Sequence, residues 1–182
     1  LAADGREFQV ALLGENYQTV PDEFTRAREE LGPRIVRYGY EPSRTRYNRW
    51  LALGSVVVST AIQENFGISV MEAIAAGCHP VLPNRLSYPE LIPEQFHGDV
   101  LYEDEHELVQ LLRRAVDAAS AGRASDGAPS CTELVAHANS FQWPQRISEF
   151  DEAMADTAAG ASGRRATGGY QTRGRRLWRL LR

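Results

Sequence analysis

Short apolar runs alternate with amphipathic stretches along most of the chain, and each change of period marks an element. Glu7-Phe8-Gln9-Val10-Ala11-Leu12-Leu13, closed by Gly14, predicts a buried strand ending in a turn. Pro21 at a first helical position, acids in the opening turn and Gly32 past the end predict a helix over Pro21 to Leu31. Arg34 to Tyr38 reads as a second strand. After Gly39, Pro42-Ser43 opens a helix with Tyr47, Trp50, Leu51 and Leu53 on its apolar side and Gly54 as its stop. Ser55 to Ser59 is a third strand. Its three consecutive valines do not alternate with polar residues, which predicts cover on both faces, as in a parallel sheet between helices.

Gly67 to Ala76 reads as the next helix, with Gly77 as its end, followed by a strand over His79 to Leu82. Asp99 to Tyr102 is a short fifth strand. Glu103 to Ala121 is a long amphipathic helix with Leu108, Leu111, Leu112, Ala115 and Val116 inward. Residues 122–130 form a loop, and Thr132 to Phe150 supplies closing helices, with Trp143 packing them onto the sheet. Strands alternating with helices predict right-handed βαβ units, hence an α/β fold with a doubly wound parallel sheet. No repeat of 20 to 50 residues is visible.

In such sheets ligands bind beyond the carboxyl ends of the strands, where loops lead into helix N-termini. The segment after the third strand, Thr60 to Gly77, holds that position. Its helical part is apolar or small on every side except at Glu72. A carboxylate there needs a partner, because an unpaired buried charge costs several kcal/mol or shifts its pKa. Two partners are open: ligand hydroxyls, or a rim position where the side chain caps backbone or meets an Arg. Glu64 lies eight positions upstream, so both carboxylates face one crevice. Phe66-Gly67 lets backbone approach a ligand closely, since Gly has no Cβ. A helix N-terminus that accepts phosphate, beside two carboxylates that accept hydroxyls, suits a nucleotide-sugar.

Composition adjusts this picture in three places. About half the 182 residues are apolar or Gly, a globular level that excludes a chain disordered throughout, and no apolar run approaches the roughly 20 residues of a bilayer span. Cytoplasmic residence is the default expectation. Every basic residue is Arg. Residues 156–182 carry seven Arg and one Asp, a net of +6, which leaves −10 for residues 1–155. The chain therefore divides into a globular domain over 1–155 and an Arg-rich tail over 156–182, expected to be disordered because its Ala, Gly, Ser and Thr cannot bury enough surface. Lastly, Cys78 and Cys131 are too few and too far apart for a zinc site or disulfide framework and are expected as free thiols. The opening Leu1-Ala2-Ala3-Asp4-Gly5, without Met, reads as the end of a helix inside a larger domain.

Glu64 and Glu72 with seven residues between them, Phe66-Gly67, Glu72-Ala73, Gly77 and Pro80-Val81 resemble the donor-binding core of the retaining family 4 glycosyltransferases of GT-B fold. Gly39, Ser59-Thr60 and Pro89-Glu90 stand in matching order. Leu13-Gly14-Glu15, Tyr38 to Ser43, Gly77 to Pro80, Tyr88 to Pro93 and Ser140 to Trp143 are similar to the branch that mannosylates queuosine in tRNA. The resemblance covers about residues 5 to 146. It implies a Rossmann-like half of a two-domain enzyme, GDP-mannose as donor, a tRNA acceptor, retention at the anomeric carbon, and neither metal nor cofactor. Residue by residue it implies that Glu64 is catalytic and contacts hexose hydroxyls, and that Glu72 holds the ribose hydroxyls. Amides around Phe66, Gly67 and Ile68 line the sugar-diphosphate. Gly14 and Glu15 match a loop of the donor site, and Tyr40 lies near the nucleobase.

The resemblance also implies a further strand and helix bearing an Arg/Lys pair, and an acceptor domain, all preceding Leu1. Residues 1–182 alone are then expected not to turn over, since a diphosphate leaving group needs that positive charge. Two other readings stay open: the same chemistry on a lipid or glycan acceptor, and a non-catalytic nucleotide-binding module. Cys78 and His79, adjacent on a strand, point to opposite faces and make no nucleophile–base pair. His97, His106 and His137 lack ligand spacing, and Arg37, Arg44 and Arg85 read first as ordinary solvated cations, with reach to phosphate or RNA as the alternative. The tail reads first as a plain end, with RNA contact or a short membrane contact at Leu177 to Arg182 as alternatives.

Overall fold

The computed structural model of the protein describes residues 1–14, 22–122 and 129–162. The chain divides into two compact units, Leu1–Val135 and Ala136–Arg182. In the first, β1 (Val10–Leu12), α1 (Asp22–Leu31), β2 (Ile35–Tyr38), α2 (Arg44–Leu53), β3 (Val56–Val58), α3 (Ile68–Ala75) and β4 (His79–Pro83) alternate as the hydrophobic pattern predicts. Two short helical turns, α4 (Tyr88–Leu91) and α5 (His97–Val100), then lead to β5 (Leu101–Tyr102) and the long α6 (Glu105–Ser120). The boundary between the units falls within α7 (Pro129–Asn139).

The ends of the helices follow local chemistry. Ser43 is extended and its hydroxyl accepts from the Arg46 N–H, opening α2. Asp104 caps α6 by accepting from the Glu107 N–H at 2.9 Å, while the Glu107 carboxylate takes the Glu103 N–H at 2.8 Å, a reciprocal pair that satisfies two amides at once. Asp99 and Val100 close the α5 turn instead of opening a strand, so β5 keeps only Leu101 and Tyr102 of the four residues expected.

Every ladder is parallel, and the α/β class stands. The strands nevertheless form two sheets, β1-β2 and β3-β4-β5, where one continuous sheet was expected. β4 is the middle strand of the larger sheet although it carries two prolines. His79 donates its N–H to Ser55 and Asn84 donates to Tyr102, so even-numbered positions of β4 face β5. Pro80 lacks a donor only on that side, and pairing with β5 begins beyond it, at Leu82. Val81 is fully buried and packs with Tyr102, Leu111 and Ala115, supported by Val56, Leu108 and Leu112. β3 does not meet the expectation of two covered faces: Val58 is 44% exposed. It is an edge strand.

The opening residues are turns, fastened to α6 by Arg6, whose guanidinium donates to both oxygens of Asp117 at 2.8 and 2.9 Å. In the second unit α8 (Trp143–Ser162) runs through residue 156, where the tail was expected to begin. Ala-rich sequence without Pro after Trp143-Pro144 sustains a helix. Trp143 is 58% exposed and tilts against Phe150 with ring centroids 5.5 Å apart, which corrects its expected burial. The remainder of the tail, 163–182, lies outside the described residues. Among those described, no helix is long and apolar enough to cross a membrane.

Candidate functional site

The described candidate residues lie in the loops after β1, β2 and β3 and in α3, which follows the last of these loops, so the topology gathers them toward the carboxyl ends of their strands. The β3–α3 loop is the best defined. Gly67 is the N-cap of α3 at φ +81, in the left-handed region where a side chain is strained. Its N–H donates to Glu64 Oε1 at 2.9 Å, and the Asn65 N–H donates to the same oxygen at 3.0 Å. Glu64 thus caps backbone with one oxygen. Among the described residues its other oxygen has no hydrogen-bond partner. Of the amides expected to line a diphosphate, that of Gly67 is taken by Glu64 in this structure, and Ile68, 65% exposed, begins the helix at the mouth of the loop.

Contacts from β3, α4 and β5 hold this loop in place. The hydroxyls of Ser59 and Tyr88 are 2.8 Å apart, and Ser59 Oγ also accepts the Ala61 N–H. Tyr102 donates its hydroxyl to the Ser59 carbonyl at 2.9 Å, and Arg85 donates to the carbonyl of Ala61 at 3.2 Å. Burial pushes the phenols of Tyr88 and Tyr102 above their ordinary value, which keeps both protonated as donors. Arg85 is accordingly a loop pin and not a merely solvated cation.

Glu72 meets protein donors from the neighbouring helix. Arg44, at the first position of α2, donates to Glu72 Oε1 at 2.5 Å, and Tyr47 donates its hydroxyl to Oε2 at 3.0 Å. The Arg44 guanidinium also lies 5.2 Å from the centre of the Tyr47 ring. Burial, then the hydrogen bond to Glu72, pushes the Tyr47 phenol up to about 12. Of the two partners that the pattern left open for Glu72, this structure has the Arg. Arg44 and Tyr47 were missed as site residues because one reads as a surface cation and the other as part of an apolar helix face.

The β2–α2 loop is organised by Glu41, also missed although it lies in the run quoted for the resemblance. Its carboxylate is 4% exposed and accepts from the Ser43 N–H at 3.1 Å and Arg46 Nε at 3.0 Å, with Arg37 at 3.5 Å. The Ser43 amide, then the two guanidiniums, hold its pKa below the ordinary glutamate range against the opposing cost of burial. Arg37 donates to the carbonyl of Tyr40 at 2.9 Å, so the loop is fixed while the Tyr40 ring stays 60% exposed. Gly14 follows β1 at the same edge, with open space where a side chain would go. Glu15 lies outside the described residues.

Cys78 is buried and donates its thiol to the carbonyls of Gly54 and Leu51, a packing role, and burial pushes the His79 pKa down. Among the described residues no group of three or more His, Cys, Asp and Glu side chains is placed to hold a metal ion. A concavity lined by Arg28, Gly32, Ile35, Val36, Arg37 and Tyr38 contains none of the candidate carboxylates.

The family model of the glycosyl transferases group 1 matches residues 1–118, which include every candidate position. The chain belongs to that family. This group 1 chain is also 42% identical over 89 residues to a protein named tRNA-queuosine alpha-mannosyltransferase from Drosophila melanogaster; the match covers 49% of the chain and 23% of that relative. The chain thus spans about a quarter of the relative's length. Membership in a glycosyl transferase family agrees with an α/β unit whose loops place carboxylates at the carboxyl edge of a parallel sheet.

Proposed function

We propose that this chain is the donor-binding part of a retaining GT-B hexosyltransferase that moves mannose from GDP-mannose to queuosine in tRNA, in the cytoplasm and without a metal. The observation that carries the reading is the identity of 42% to a queuosine mannosyltransferase, in a chain that keeps both Glu64 and Glu72 about α3. Glu64, one oxygen tied to two amides, directs its other oxygen toward hexose hydroxyls. Glu72 accepts the ribose hydroxyls. Phe66 and Ile68 approach the diphosphate by their backbone, Gly14 and Glu15 border it, and the exposed Tyr40 stacks by the base. Transfer breaks the bond between the anomeric carbon and the diphosphate oxygen and joins that carbon to a hydroxyl of the queuosine cyclopentenediol. The hydroxyl proton passes to the departing diphosphate.

The strand order supports the assignment to a donor half. A doubly wound sheet runs 3-2-1-4-5-6. The orders β1-β2 and β3-β4-β5 fit its two flanks if one strand lies between β1 and β3. In our reading a parallel strand preceding Leu1 enters that slot, and residues 1–155, at net −10, leave most phosphate contact with tRNA to the rest of the protein.

The test is mannose transfer by the intact protein from GDP-mannose to two otherwise equal tRNAs, one with queuosine and one with guanosine at that position. Transfer to the first alone is expected. Equal transfer to both, or transfer only to a lipid or free glycan, overturns the acceptor.

A further inference from the structure

We propose that Tyr47 and Arg44 are positioning residues that hold the Glu72 carboxylate in the orientation in which it recognises a ribose diol; this rests on the reading of Glu72 given above. A glutamate side chain has three rotatable bonds, and its carboxylate offers two oxygens with about four lone-pair directions. Arg44 takes one direction on Oε1 and Tyr47 one on Oε2, at 2.5 and 3.0 Å. Two donors on different oxygens fix both the position and the plane of the group. One lone pair of each oxygen remains, and two neighbouring acceptors match the two donors of a vicinal diol.

The geometry is ill suited to a purely stabilising role. Arg44 is 67% exposed and the Glu72 carboxylate 27%, and an ion pair so open to water contributes little to stability. Its effect on a ligand is larger, because a carboxylate already immobilised by the protein loses less freedom on binding. Tyr47 is half-buried, and its phenol stays neutral far above physiological pH, so it acts as a donor throughout. The two residues come from α2 while Glu72 comes from α3, so the three side chains also tie α2 to α3 at the edge where a nucleotide would lie.

The experiment is titration calorimetry of the intact protein with GDP and with 2′,3′-dideoxy-GDP, for wild type, Tyr47→Phe, Arg44→Gln and Glu72→Gln. Wild type is expected to prefer GDP by about tenfold or more, equivalent to roughly 1.4 kcal/mol. Tyr47→Phe and Arg44→Gln should each cut that preference at least about threefold through weaker GDP binding, with the dideoxy analogue changed less than about twofold, on the scale of one hydrogen bond to a charged group. Added to Glu72→Gln, neither should cause further loss, as for residues acting through a common partner. An unchanged preference in both variants, or equal loss for both nucleotides, overturns the positioning role while a collapse in Glu72→Gln leaves the ribose assignment standing. A wild-type preference near one overturns that assignment and the positioning role with it.

Discussion

The Tyr88 ring stands 3.1 Å from where a Cβ on Gly67 would sit, and the same tyrosine is hydrogen-bonded to Ser59 at the end of β3. One side chain therefore sets both the start of the β3–α3 loop and the space allowed at its close. Gly67→Ala meets two penalties, left-handed strain at φ +81 and a contact tighter than ordinary packing permits. Together they should cost about 1 to 3 kcal/mol. A melting temperature equal to wild type would refute the constraint, and a companion Tyr88→Phe, which keeps the ring, should lose only about 1 kcal/mol.

On the proposed roles, the two carboxylates separate binding from chemistry. Glu72→Ala removes the hydrogen-bond acceptor proposed for ribose and should weaken GDP binding by roughly 1.5 to 3 kcal/mol, a factor of about 10 to 100. Glu64→Ala should leave GDP affinity nearly intact and lower turnover in the intact protein, since in the proposed reading the hexose and not the nucleotide faces it. Calorimetry with GDP beside a kinetic assay checks both, and equal GDP affinity in Glu72→Ala defeats the assignment.

Acid should loosen the β2–α2 loop. The folded-state pKa of Glu41 lies below its ordinary value of 4.5, so its contribution to stability is complete above that value and is lost as pH falls through the lower folded value. Asp4 and Asp117, depressed first by hydrogen bonds from Arg113 and Arg6 respectively, act in the same direction. Tyr47 carries the opposite sign: its contribution is complete below the ordinary phenol value of 10.0 and fades as pH rises toward about 12. Denaturant midpoints against pH should therefore drop at both extremes. Glu41→Gln should flatten the acid limb, and an acid limb identical to wild type argues against its role.

These features differ in how far the sequence announces them. Ser43, Gly54 and Asp104 are local signals, each acting on amides or carbonyls within a turn, and α2 and α6 begin and end within about two residues of expectation. The loop bearing Glu64 was legible for the same reason, because Gly67 marks a turn through its own backbone. Partnerships across elements were not. Nothing in the local pattern ties Arg44 and Tyr47 to Glu72, at separations of 28 and 25 residues. Periodicity likewise gives the apolar character of Val56-Val57-Val58 but not whether a neighbouring strand is there to cover it.

The exposed end of β3 yields the last prediction. Ser59 donates its N–H to Val81 of β4, and alternation along a strand turns the N–H groups of Val56 and Val58 the other way, toward the open edge. An edge of unpaired donors beside a valine 44% exposed is a template for another strand. If a parallel strand enters between β1 and β3 in the intact protein, these two amides become hydrogen-bonded and their exchange slows to that of the central strand β4. In residues 1–162 prepared alone they should exchange orders of magnitude faster than the Val81 amide, which faces β3. Hydrogen exchange resolved at single residues compares the two directly. Rapid exchange at Val56 and Val58 in the intact protein would leave the slot empty, and the donor half would need a sheet order other than 3-2-1-4-5-6.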